Sequence, residues 1–155
     1  LQINPQVVFE IMGDGASEER LRQRAQELGV SEQVRFLGRI PSTKTNVYYQ
    51  RAKVFVLPSA NEGMSNALLE ALASGLPAVV TDTGGSSELV EGGKNGFVIE
   101  RDTQAIAKAL EYLLSHEEER QSMGQASRTR AEAQSWQAVA EAYKQVYVEA
   151  TSKHL

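Results

Sequence analysis

Glu62 and Glu70 bracket the segment Glu62-Gly63-Met64-Ser65-Asn66-Ala67-Leu68-Leu69-Glu70, with seven residues between the two carboxylates. Sugar hydroxyls need hydrogen-bond acceptors and phosphates need backbone N–H groups, and this short stretch can supply both. Ser65 and Asn66 are residue types that cap a helix start, because their side-chain oxygens accept orphan N–H bonds. At about 100° per residue, Asn66, Ala67, Ala73 and Ser74 share the azimuth of Glu70, whereas Leu68 and Leu72 point the opposite way. Glu70 then projects from a strip of short side chains, a hollow against which a ligand could lie. A solvated glutamate on a partly exposed helix fits the same geometry. Gly63 permits close approach of a ligand to the backbone. The N–H groups of Met64 to Ala67, at the positive end of the helix dipole, form a ready anion site.

The elements that must position these residues are legible on either side. Val54-Phe55-Val56-Leu57-Pro58 is a short apolar run ended by proline, which predicts a buried strand. Gly75-Leu76-Pro77 stops the helix, and Ala78-Val79-Val80-Thr81 begins the next strand. The result is a βαβ unit whose loop lies beyond the carboxyl ends of the strands, where ligands bind in such sheets.

The same alternation runs along the chain. A strand over 7–12 ends in the turn Gly13-Asp14-Gly15, and a charged helix follows over about 17–28. A strand over 34–37 is closed by Gly38, and a helix over about 45–51 leads to the strand at Val54. After Gly84-Gly85 comes a short helix, then a strand over 96–99, then three helices over about 103–115, 117–133 and 136–150. The predicted class is α/β: a Rossmann-like parallel sheet with helices on both faces and a C-terminal helical extension. Trp136, Val139, Tyr143, Val146 and Tyr147 recur at helical spacing in the last helix. They read as a core-facing stripe, with packing against a missing partner domain as the alternative.

Composition narrows the function classes. The chain has 155 residues, 41% of them hydrophobic, enough for one well-packed domain. A net charge of −4 with scattered Lys and Arg argues against nucleic acid as partner. Cysteine is absent, so no disulfide framework or thiolate metal site is available. His116 and His154 are isolated and expected at the surface, and Asp82-Thr83-Gly84 does not make an Asp-x-Asp metal motif. No apolar run approaches the roughly 20 residues of a transmembrane helix. A cytoplasmic location is expected.

Taken in order, several motifs resemble the C-terminal, donor-binding domain of family-4 retaining glycosyltransferases with the GT-B fold. They are Gly13-Asp14-Gly15, Val34-Arg35-Phe36-Leu37-Gly38, Val54 through Ser59, Glu62-Gly63 through Glu70-Ala71, Ser74-Gly75-Leu76-Pro77, Gly84-Gly85-Ser86-Ser87-Glu88 and Gly96-Phe97-Val98. The Ser135-Trp136 helix matches the family's last helix, and the resemblance covers essentially the whole chain.

The resemblance implies roles for particular positions. Glu62, the candidate catalytic carboxylate, would accept hydrogen bonds from hydroxyls of the transferred sugar. Glu70 would accept both ribose hydroxyls of a nucleotide. Backbone N–H groups of Gly63, Met64, Ser65 and Asn66 would hold sugar and diphosphate oxygens. The base would lie near Gly38, Arg39 and Ile40. Gly13 would leave room for the nucleotide, although a tight turn explains that glycine equally well. Glu88 reads as a helix-start acid more readily than as a ligand contact.

The implied donor is a nucleotide diphosphate sugar, with no obligatory cofactor or metal. Residues 1–155 are expected to form the donor-binding lobe of a longer protein. That lobe would lack its first strand, the basic Arg and Lys pair that neutralises the diphosphate, and an N-terminal acceptor domain. The lobe alone should be inactive. Met64-Ser65-Asn66 departs from the Phe-Gly many members carry there, so a different sugar preference is expected. A non-catalytic nucleotide- or carbohydrate-binding module is the alternative. A non-hydrolysing epimerase would need cleft histidines, and a dehydrogenase would need a Gly-x-Gly-x-x-Gly turn that the chain lacks.

Overall fold

The computed structural model describes residues 7–61 and 63–152, and these divide into two compact units between Thr45 and Asn46. In the first unit, β1 (Phe9–Met12) and β2 (Val34–Gly38) pair in parallel, with Phe9 opposite Val34 and Met12 opposite Gly38. The crossover between them is α1 (Glu18–Glu27), followed by a 3-10 turn at Ser31–Gln33. Glu18 and Glu19 occupy the first turn of α1, where the helix dipole favours negative charge. Glu18 also pairs with Arg22 at 2.7 Å, and the Arg22 guanidinium lies 4.3 Å from the centre of the Phe36 ring. The helix is thereby pinned to β2 through a cation–π contact. Only Ala25 of α1 is fully buried.

The unit boundary falls within α2 (Ser42–Arg51). This helix starts three residues before the predicted Thr45, directly after Pro41, whose carbonyl accepts the Lys44 N–H at 2.8 Å. Ser42, Thr43 and Lys44 carry no apolar periodicity, so the sequence pattern misses the first turn.

The second unit is built on a three-stranded parallel sheet in the order β3-β4-β5, comprising Phe55–Leu57, Ala78–Thr81 and Gly96–Ile99. All four residues of the central strand β4 are buried. Successive strand residues face opposite sides, and the packing follows that rule. Ala78 and Val80 join Leu68, Leu72, Leu89 and Val90 on one face, whereas Val79 joins Ala109, Leu113 and Met123 on the other. The first face is covered by α3 (Asn66–Ala73) and α4 (Gly85–Leu89). The second is covered by α5 (Thr103–Ser115) with Met123 of α6 (Glu117–Glu132). Buried at two faces, β3 and β4 have no polar alternation, which is why they read as unbroken apolar runs.

Two polar devices fix the remaining turns. Asn95 is buried; its Nδ2 donates to the Leu89 carbonyl at 3.0 Å and its Oδ1 accepts the Glu91 N–H at 2.7 Å. The Ser127 hydroxyl of α6 donates to the Asn95 carbonyl at 3.1 Å, so the turn into β5 is tied to the helix layer. Gly124 lets α6 press on the turn after α3, since a Cβ there would meet the Gly75 carbonyl oxygen at 2.4 Å.

The final helix, α7 (Trp136–Ser152), corrects one expectation. Trp136 is 87% exposed, and Tyr143, Val146 and Tyr147 also stand in solvent, so the stripe does not face a core among the described residues. Apolar periodicity shows that a face wants cover; it does not show what covers it.

Candidate functional site

The Glu70 site is assembled from β3, α3 and the last turns of α2. Beyond Pro58 the chain crosses the top of the sheet, where the Thr81 hydroxyl at the end of β4 donates to the Ser59 carbonyl at 2.6 Å. This bond ties the loop after β3 to the neighbouring strand end. Ser65 is the N-cap of α3, as the sequence predicts. Its backbone is extended, with φ −79 and ψ 117, and its Oγ accepts the Leu68 N–H at 3.4 Å. Helix geometry leaves the first N–H groups of α3 without an intrahelical acceptor. They lie beside Gly63 and Met64, both exposed. Asn66 is also exposed and Ser65 half-buried, so four of the predicted site residues form one continuous turn.

Glu70 lies one turn inside α3 and is half-buried, while Leu68, Ala71 and Leu72 are fully buried on the other side. The hollow beside it is partly filled by a residue the sequence did not single out. Tyr49 of α2 is only 3% exposed, and its hydroxyl donates to the Glu70 carboxylate. The Tyr49 ring packs edge-on against Phe55 at the start of β3, with centroids 6.0 Å apart and planes at 72°. Burial first, then the charge of Glu70 and the hydrogen bond to it, push the Tyr49 hydroxyl up from 10.0 to about 12. Each cause disfavours a phenolate.

Because the folded value lies above the unfolded one, the folded chain holds this proton more tightly. The stabilisation is fully present below about pH 10 and is lost as pH rises towards about 12. The expected result is a tyrosinate absorbance step near pH 12 that is missing from Tyr49→Phe. In the same window, chemical denaturation should show wild-type stability falling more steeply than that of the variant.

A second glycine turn closes against the first. Gly84 has φ +80, and its N–H donates to Asp82 Oδ1 at 3.1 Å. The next residue, Gly85, begins α4 so near the Gly63 carbonyl that a Cβ at Gly85 would lie 2.2 Å from that oxygen. Two loops from consecutive strand ends are therefore in backbone contact, and the shape of the Gly63 turn depends on residue 85. Glu88 is exposed, and its carbonyl accepts a hydrogen bond from Arg130 Nη2.

In the first unit, Gly13 and Gly38 are brought together at the ends of β1 and β2. The Gly13 N–H donates to the Gly38 carbonyl at 2.8 Å. Their φ values are +141 and +63, and a Cβ on either would meet nothing within 4 Å. Both readings of Gly13 have a physical basis here, since the turn needs a glycine and the space beside it is open. Arg39 is exposed and Ile40 half-buried just beyond. Glu62 lies outside the described residues, as does His154. His116 is exposed and stacked on Tyr112 at 4.3 Å.

An open cavity of about 490 Å³ lies beyond the carboxyl ends of β3, β4 and β5, lined by Ser59, Ala60, Thr81, Asp82, Ile99 and Arg101 among others. It does not include Glu70 or the Gly63–Asn66 turn. Among the described residues no cluster of three His, Cys, Asp or Glu side chains could hold a metal ion, and no helix is long and apolar enough to cross a membrane.

Parallel strands carrying their loops at the carboxyl ends, with helices on both sheet faces, define the Rossmann-like fold of GT-B enzymes. The model of the family described as glycosyl transferases group 1 matches residues 1–130, and the chain belongs to that family. The D-inositol 3-phosphate glycosyltransferase of Corynebacterium jeikeium is 40% identical over 139 residues, spanning 88% of this chain and 33% of that protein. The enzyme of the same name from Corynebacterium urealyticum is 39% identical over 128 residues, 82% of this chain and 30% of that protein. The chain thus spans about a third of the length of these curated relatives.

Among solved structures, sucrose-phosphate synthase from Thermosynechococcus elongatus superposes with a TM-score of 0.82 at 28% identity, covering 96% of this chain and 39% of that one. Anabaena HepE in complex with UDP gives a TM-score of 0.82 at 25% identity, covering 97% of this chain and 42% of that one.

Proposed function

We propose that this chain is the donor-binding lobe of a retaining glycosyltransferase and that it holds a nucleotide diphosphate sugar at the N-terminus of α3. The observation that carries the reading is Glu70: a half-buried carboxylate one turn below a capped helix start, on a chain of this family. In the proposed arrangement Glu70 accepts the two ribose hydroxyls. The N–H groups of Gly63, Met64, Ser65 and Asn66 meet sugar and diphosphate oxygens. Glu62 accepts hydroxyls of the sugar being transferred, and the backbone at Gly38, Arg39 and Ile40 reads the base, with Gly13 leaving room for the nucleotide. The UDP complex of the HepE neighbour supports a donor of this chemical class.

Departure of the nucleoside diphosphate needs its developing negative charge stabilised, and preorganised N–H dipoles do this best where water is excluded. The family resemblance, rather than these residues, implies that the parent protein supplies an acceptor lobe and a basic pair for the diphosphate. In this reading the parent protein works in the cytoplasm on a glycan, lipid or other acceptor, with no obligatory metal, and this lobe alone is inactive. Calorimetric titration with UDP, GDP and ADP tests the reading. One of the three should bind in the millimolar range or tighter, and failure of all three would leave the donor-binding role without support. A parent protein that binds donor and transfers nothing would favour a non-catalytic binding module instead. Inverted anomeric configuration in the product would overturn retention.

A further inference from the structure

We propose that Thr81 is a positioning residue for the donor site. Its buried hydroxyl holds the loop after β3 against the end of β4, and so sets where the Gly63–Asn66 turn presents its N–H groups. The inference rests on the diphosphate-binding reading of that turn and adds a residue to it.

Thr81 breaks the pattern of its strand. Ala78, Val79 and Val80 are apolar, yet Thr81 is buried with them. A buried hydroxyl is costly unless it is bonded, and this one bonds across to the neighbouring segment. Its Oγ1 donates to the Ser59 carbonyl at 2.6 Å and lies 3.5 Å from the Leu57 carbonyl. Further along the same loop, the Gly63 carbonyl abuts Gly85, where an added Cβ would lie 2.2 Å from the oxygen. The residues that follow β4 therefore meet this loop twice, at Ser59 and at Gly63. The two contacts act in opposite directions. Backbone abutment stops the loop from moving inward, and the hydrogen bond at Ser59 resists outward drift.

The segment that carries both contacts is itself stiff. The Gly84 N–H donates to Asp82 Oδ1 at 3.1 Å, and the Thr83 hydroxyl shares a hydrogen bond of 2.7 Å with that of buried Ser86. Residues 81–86 thus pass the position of the central strand on to the loop. A turn ordered before its ligand arrives gains affinity without new contacts.

If the Thr81 bond served only to satisfy the strand end, its loss would weaken every ligand alike. The positioning role predicts a selective loss. Because the same turn is read as meeting the sugar, the phosphate it meets first is the one bonded to that sugar, which a nucleoside monophosphate lacks. In the intact protein, calorimetry measures affinity for whichever of UDP, GDP and ADP wild type binds best, and for the matching monophosphate. Thr81→Val keeps the branched shape and removes the hydroxyl, whereas Thr81→Ser keeps the hydroxyl. Loss of one neutral hydrogen bond corresponds to roughly a three- to tenfold change. Thr81→Val should bind the diphosphate more weakly by that factor and the monophosphate with unchanged affinity. Thr81→Ser should retain the wild-type preference for the diphosphate. An equal loss for both ligands, no loss in Thr81→Val, or a Thr81→Ser as impaired as Thr81→Val would overturn the positioning role. Failure of the underlying reading of the turn looks different: wild type itself would bind diphosphate and monophosphate equally, and the role of Thr81 would fall with it.

Discussion

Glu70→Ala is expected to lower affinity for the preferred nucleoside diphosphate by at least about a hundredfold, with little effect on its dideoxy analogue. Two hydrogen bonds to a charged acceptor are lost, each worth about 1.5–3 kcal/mol, and about 1.4 kcal/mol is tenfold in binding. The substitution has a second consequence that could confuse the measurement. It strands the Tyr49 hydroxyl, which is buried and donates to that carboxylate. A buried hydroxyl left without its acceptor costs about 1–3 kcal/mol of folding stability.

The double variant Tyr49→Phe/Glu70→Ala separates the two effects, because it removes this hydroxyl together with its carboxylate acceptor. Its melting temperature should recover towards that of wild type, whereas its nucleotide affinity should stay as low as that of Glu70→Ala. Calorimetry for binding and thermal denaturation for folding check the pair. Equal heats for wild type and Glu70→Ala would remove Glu70 from the ribose role.

The part of this site that could be read from sequence is the part encoded locally. Ser65 caps α3 because a serine before Asn-Ala-Leu-Leu is a local signal, and Gly75-Leu76-Pro77 ends the helix by local chemistry as well. The strands β3 and β4 are legible because a strand covered on two faces has no polar positions to interrupt it. Tyr49 was not legible. Tyr48 and Tyr49 are adjacent, and only the true start of α2 at Ser42, together with the position of β3, settles which ring is inside.

Pairing was equally hidden, since apolar runs do not name their neighbours. The strands form a two-stranded and a three-stranded sheet, each parallel. The stripe on α7 marks the opposite failure, a strong local pattern whose partner is not among the described residues.

Gly85 is the position where a single methyl group should do most harm to the site for least harm to the fold. An added Cβ would stand 2.2 Å from the Gly63 carbonyl oxygen and 2.5 Å from its carbon, well inside any real contact. Both listeners to that clash are backbone, so no side chain can swing aside to relieve it. One side must yield, and α4 is the better anchored. Leu89 and Ser86 of α4 are buried beneath the sheet layer, whereas Gly63 and Met64 are exposed. The Gly63 turn therefore moves, by about an ångström, and displacement on that scale can cost on the order of a hundredfold in a positioned reaction.

Gly85→Ala is expected to reduce nucleotide-sugar affinity, and transfer by the parent protein, by about that factor. The melting temperature should fall far less than for a core truncation, since β4 and its two packed faces are untouched. Gly92→Ala is the matched control, because a Cβ there meets nothing within 4 Å. If Gly85→Ala bound donor as wild type does, the Gly63 turn would have no part in holding it, and the diphosphate would have to be sought elsewhere on the sheet's carboxyl edge.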